Sequence, residues 1–164
     1  MDDLDFSDVY NRHGRDVYRF ALYLSGNTAL AEDLAAETFS RAWLAWDRIR
    51  VGSVKAYLLM ITRNLYRDLL RQRTEVPLDG EWSLADTAPD PESAAVARSE
   101  LDAVLVALRA LPETERSVLL MATIGDVAYD AIAVAFGITP AAVKVRVHRA
   151  RVKLNAARSA KEKS

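Results

Sequence analysis

From Ser53 onward the chain places Val54, Leu58, Ile61, Leu65 and Leu69 three or four residues apart, which puts all five on one narrow stripe of an α-helix. A strand would scatter them over both faces. Ser53 offers a side-chain acceptor for the first turn. Arg63, Arg67 and Arg71, flanked by Asn64, fall on the side away from the stripe. The helix is therefore expected to be apolar inward and basic outward, with Tyr57 and Tyr66 between the two faces. Glycine and proline, six and five in 164 residues, stand between such stretches rather than inside alternating ones, so the chain is expected to be all-α.

A first helix is expected over about Phe6 to Leu24, with Gly26-Asn27-Thr28 as stop, turn and cap. From Thr28 to Trp46 the apolar residues Leu30, Leu34, Phe39, Trp43 and Trp46 spread over more than half the circumference. Asp33, Glu37 and Ser40 form the remaining polar stripe, with Arg41 at its edge. Such a helix is either central in a bundle or offers part of its apolar surface to a partner. A helix over residues 92–110, with Val96, Leu101, Leu105 and Leu108 inward, is closed by Leu111-Pro112, and the rest divides into three short helices.

A formal net charge of −1 hides a strong segregation. Residues 1–40 are acidic. Residues 41–73 then carry Arg41, Arg48, Arg50, Lys55, Arg63, Arg67, Arg71 and Arg73 against Asp47 and Asp68. The stretch 74–97 has six carboxylates, no cation and three prolines, and reads as a linker. After residue 138 come eight basic side chains against Glu162 alone. The pattern predicts two small helical domains, 1–73 and 98–164, joined by an acidic linker. Each domain presents either a polyanion-binding face or a solvated basic helix.

The run from Tyr129 to Val147 has the spacing of a helix-turn-helix. Ile132, Ala133, Phe136, Ile138 and Val143 are its apolar anchors, Gly137 its turn, Thr139 an N-cap and Pro140 a first helical residue. Val143, Val147, Ala150 and Leu154 would be the buried stripe of the last helix. Ala141, Ala142, Val145, His148 and Arg149 then face outward, with Lys144, Arg146 and Arg151 at the edges. A helix of this kind suits the major groove; the competing structural reading is a helical hairpin packed only on protein. His148 reads as a polar contact on that face, because no other ligand stands near it in sequence.

Lack of cysteine excludes disulfides, thiolate metal sites and cysteine nucleophiles. No metal and no cofactor are expected, and no nucleophile–base pair or phosphate-binding glycine loop points to an enzyme. The acidic start and the lack of long apolar runs predict a cytoplasmic chain with no membrane insertion.

Tyr18-Arg19-Phe20-Ala21, Ala31-Glu32-Asp33-Leu34, Glu37-Thr38-Phe39, Arg41-Ala42-Trp43 and Thr62-Arg63-Asn64-Leu65 together resemble the promoter-melting domain of extracytoplasmic-function sigma factors. Leu111-Pro112-Glu113, Tyr129, Ile132-Ala133, Val143-Lys144 and His148-Arg149-Ala150-Arg151 resemble their C-terminal domain. The resemblance implies a dissociable subunit of bacterial RNA polymerase that directs promoter-specific initiation. By that analogy Asp33, Leu34, Glu37 and Arg41 dock on the polymerase β′ subunit, with the β subunit as a further contact. Arg48, Arg50, Ser53, Lys55, Tyr57, Arg63, Asn64, Arg67 and Arg71 would meet the −10 region, and the linker would thread toward the RNA exit path. Thr139, Ala141, Ala142, Lys144, Val145, Arg146, His148, Arg149 and Arg151 would meet the −35 region. An anti-sigma protein is an implied partner, one that could hold the factor at the inner membrane face. Tyr57 stands where the family often has Trp, and Ala142 and Val145 where it often has Thr and Ser, so methyl groups replace hydroxyls on the DNA-facing side. The alternative is a helix-turn-helix regulator with an N-terminal helical sensor or dimerisation domain.

Overall fold

In the computed structural model, residues 5–48, 53–75 and 95–162 are described. They form seven α-helices: α1 Phe6–Ser25, α2 Thr28–Leu44, α3 Val54–Glu75, α4 Ala95–Arg109, α5 Glu113–Thr123, α6 Tyr129–Phe136 and α7 Pro140–Glu162. A 3-10 turn, Trp46–Arg48, follows α2, and there is no strand among the described residues. The helices make two domains, α1 to α3 and α4 to α7.

Local chemistry sets the boundaries. Gly26 ends α1 in the left-handed conformation, φ 71°, and its N–H donates to the Leu22 carbonyl at 2.7 Å. The cap of α2 is Asn27 rather than Thr28: the Asn27 side-chain oxygen accepts from the Leu30 N–H at 2.8 Å. Ser53 caps α3 as expected, its hydroxyl accepting from the Ala56 N–H at 3.1 Å. Gly137 ends α6 at φ 65°, and Thr139 caps α7 through the Ala142 N–H at 3.1 Å. The last three helices are not all short, because α7 continues without glycine or proline to Glu162.

In the N-terminal domain α2 packs between α1 and α3. Thr38 and Thr62 are both buried, with their hydroxyls 2.8 Å apart across that contact; one donates to the other, which in turn donates to the carbonyl four residues earlier in its own helix. Two hydroxyls inside a core are thereby satisfied without solvent. In the C-terminal domain Val143, Val147 and Ala150 of α7 are fully buried, the expected stripe, with Leu154 half-buried.

The basic outward face of α3 is found in part: Asn64, Arg67 and Arg71 are exposed, and Arg63 is not. Val54, Leu58, Ile61, Leu65 and Leu69 do face inward, yet Leu59, Arg63 and Tyr66 are buried too, at a second helical spacing of four and three. The C-terminal domain covers that second stripe. Both α5 and α6 pack on α3, and α4 and α5 pack on α1. Leu59 lies against Gly125, where a β-carbon would stand only 2.6 Å from its Cδ1.

His13 on α1 is half-buried, with no hydrogen-bond partner for Nδ1. Desolvation, then the Lys55 and Arg12 cations, hold its pKa below the ordinary histidine value, with Asp16 opposing. The unfolded chain therefore takes up the proton first. Stability is full above about pH 6.5 and is lost as pH falls through the depressed folded value. A Tm series from about pH 7.5 to about pH 5.5 is expected to fall, and to fall less steeply in His13→Gln.

Candidate nucleic-acid interfaces and docking groove

On α7 the packing of Val143, Val147 and Ala150 turns the opposite side to solvent. Ala141, Lys144, Val145, His148, Arg149 and Arg151 are exposed, and Ala142 and Arg146 are half-buried. Thr139 is exposed and its hydroxyl is engaged in the cap. All nine expected residues thus lie on or beside one face. Val152 continues it: it is exposed two turns from Val145, a position that the sequence reading left out. Two exposed valines on an otherwise polar helix cost solvation, and such a methyl surface matches the thymine C5-methyl in a major groove. Lys153, at the edge, is tied to Glu115 of α5 at 2.9 Å and braces α7 rather than extending the face.

The residues assigned to the −10 region are dispersed. Arg48, Asn64, Arg67 and Arg71 are exposed, Arg71 beside Asp68 at 2.7 Å. Tyr57 is half-buried. Lys55 is paired with Asp16 at 2.8 Å, which ties the start of α3 to α1. Ser53 spends its hydroxyl on the helix cap. Arg50 lies outside the described residues, as does most of the acidic stretch 74–97.

Arg63 departs from the outward placement expected of it. Its side chain is 7% exposed, and its guanidinium meets Glu113 at 2.8 and 3.1 Å. The reason is physical: α3 has two covered sides, and a guanidinium can be buried on the second because a carboxylate and a ring are there to receive it. Glu113 and Phe136, its partners, carry no sequence signal for this role. A Glu in the first turn of a helix is ordinarily explained by the helix dipole alone.

Asp33, Leu34, Glu37 and Arg41 are brought together. They line one open groove between α2 and α3, with Leu65 and Leu69 opposite. Leu34 is buried and forms the floor, while Glu37 and Arg41 pair at 3.1 Å with more than half of each side chain exposed. An apolar floor with a charged rim is the anatomy of a protein-docking surface. No group of three His, Cys, Asp or Glu side chains converges among the described residues. No single helix there is long and apolar enough to cross a membrane.

Residues 9–76 match the family described as Sigma-70 region 2, and residues 101–154 match Sigma-70, region 4. Among curated relatives, the ECF RNA polymerase sigma factor EcfG of Rhodopseudomonas palustris is 36% identical over 84% of this chain and 76% of its own length. The sigma factor SigE of Mycolicibacterium smegmatis is 32% identical over 91% of this chain, which spans 60% of that protein. In three dimensions the chain is similar to the sigma factor RpoE of Bartonella quintana, solved with the anti-sigma factor NepR. The TM-score is 0.75, at 26% identity, over 94% of this chain and 97% of the other. CnrH, solved with the cytosolic domain of CnrY, superposes with a TM-score of 0.71 at 28% identity, over 94% and 88% of the two chains. The chain belongs to the extracytoplasmic-function sigma factors of the sigma-70 family, a class whose members direct transcription by RNA polymerase.

Proposed function

We propose that this sigma factor binds core RNA polymerase through the α2–α3 groove and directs initiation at a restricted set of promoters. Residues 1–73 engage the polymerase and the −10 element, 74–97 serve as the tether, and 98–164 read the −35 element through the outward face of α7. The observation that carries this reading is the pairing, in one chain, of a charge-rimmed apolar groove with a separate helix whose exposed face is backed by a buried stripe. Neither DNA surface needs to bind well alone. Polymerase fixes their separation, and tethering raises the effective concentration of the second contact without new interactions. The neutral total charge fits a protein that does not bind DNA unaided. Partnership with an anti-sigma protein is supported by the solved relative RpoE, captured with the anti-sigma factor NepR. The site of action is the cytoplasm, where the template is.

Purified protein is expected to co-elute with core polymerase and to produce new transcript starts in a run-off assay. No co-elution and no new starts would remove the proposal, and tight binding of the free protein to palindromic DNA as a dimer would favour a classical regulator. Reversing the rim with Asp33→Lys and Glu37→Lys together is expected to weaken core binding at least about tenfold, since like charges across an interface are strongly disfavoured. Both side chains are exposed, so circular dichroism of the variant should be unchanged.

A further inference from the structure

Arg63 sits where the two domains meet, and its Nε and Nη2 are both engaged there. Its Nε donates to Glu113 Oε1 at 2.8 Å and its Nη2 to Glu113 Oε2 at 3.1 Å, a two-pronged pair between α3 and the first turn of α5. Nη2 also lies 3.5 Å from the Thr114 hydroxyl. The guanidinium carbon stands 4.5 Å above the ring of Phe136, the last residue of α6 in the helix-turn-helix. Glu113 is held in turn by the Ser117 hydroxyl at 2.7 Å, and Arg67, one turn along α3, approaches the same carboxylate at 3.7 Å. Beside this pair, Arg116 of α5 lies over the ring of Tyr66 at 5.7 Å.

We infer that the Arg63–Glu113 pair is a latch that holds the free protein closed and withholds Arg63 from promoter DNA until the domains separate. The inference rests on the proposed function and on the resemblance that assigns Arg63 to the −10 region. A carboxylate presents the same pair of oxygens to a guanidinium that a phosphate does, so Glu113 occupies the donors that a DNA strand would take. With one edge on Glu113 and one face on Phe136, a side chain 7% exposed cannot also meet a nucleic acid. Closed and DNA-engaged states are therefore mutually exclusive at this residue. The latch joins the helix that carries the −10 residues to the domain that carries the −35 helix, so one contact restrains both. Any partner that takes only the open form binds with an apparent affinity lowered by the open fraction.

The chain has no cysteine, so labels placed at Ser40→Cys on α2 and Asn155→Cys on α7, both exposed, report the separation of the domains in the full-length protein. A single short distance is expected for the parent. Glu113→Gln removes the charge that holds Arg63 and is expected to shift the distribution to longer, broader distances. Association with core polymerase should then rise at least about fivefold, in proportion to the open fraction. Glu115→Gln, whose partner Lys153 belongs to the same domain, is expected to keep the parental distance. Arg63→Gln should open the protein as Glu113→Gln does but reduce initiation, and it carries the distance measurement if Glu113→Gln fails to fold. Parental distances in both variants would overturn the latch, whatever their transcription. An Arg63→Gln protein that opens and initiates as well as Glu113→Gln would leave the latch standing and remove Arg63 from the promoter surface.

Discussion

Phe20→Ala is expected to cost about 3–5 kcal/mol of folding free energy, the lost transfer energy of the ring plus that of the cavity left behind. The ring is fully buried on α1, and α1 packs against α2, α3, α4 and α5. A void there has little room to collapse, because α1 is packed against four other helices. With total stability of about 5–15 kcal/mol, a loss of this size removes a large share of it. Urea unfolding followed by circular dichroism would show a lower midpoint with little change of slope. Val134→Ala is the control: Val134 is 84% exposed, and the change is expected to stay within about 0.5 kcal/mol. A midpoint for Phe20→Ala as mild as the control's would mean that the core around Phe20 repacks to fill the space.

What could be read before any coordinates followed from local rules. The end of α1 at Gly26, the cap at Ser53, the turn at Gly137 and the cap at Thr139 each depend on a few neighbouring residues, and each is where the sequence implied. The inward stripes of α3 and α7 follow from helical period alone. Asp33, Leu34, Glu37 and Arg41 are grouped by the family resemblance rather than by periodicity; they line one groove, whose far wall, Leu65 and Leu69, is part of the stripe assigned to the core. The second stripe of α3 was not legible. Leu59 and Tyr66 are apolar enough for it, but Arg63 between them marks that face as solvated unless a partner is known. The partner, Glu113, lies 50 residues away in sequence and belongs to the other domain. The partner of Lys55 was not legible for the same reason: Asp16 stands on α1, 39 residues earlier in the chain. Long-range ion pairs leave no periodic trace, so the charged residues that stabilise contacts between helices looked like those that would bind a strand.

That distinction can be tested within α7, where Arg149 and Arg151 are both exposed but differently placed. Arg149 is on the outward side with Val145 and Val152, whereas Arg151 is two residues further and therefore about 200° around the helix, toward the edge. If the outward side enters the major groove, Arg149 meets base edges and Arg151 meets phosphate. Arg149→Ala is then expected to cost about 1–3 kcal/mol of upstream-element binding and to relax preference at one base position. Arg151→Ala is expected to weaken binding evenly across sequences and to lower the slope of log affinity against log salt by about 1. Both measurements use the polymerase holoenzyme on a set of singly substituted promoters, at several salt concentrations. Reversal of the two signatures would rotate α7 about its axis in the groove. Two salt-dependent losses with no change of base preference would make this helix a phosphate clamp and move sequence reading to other side chains.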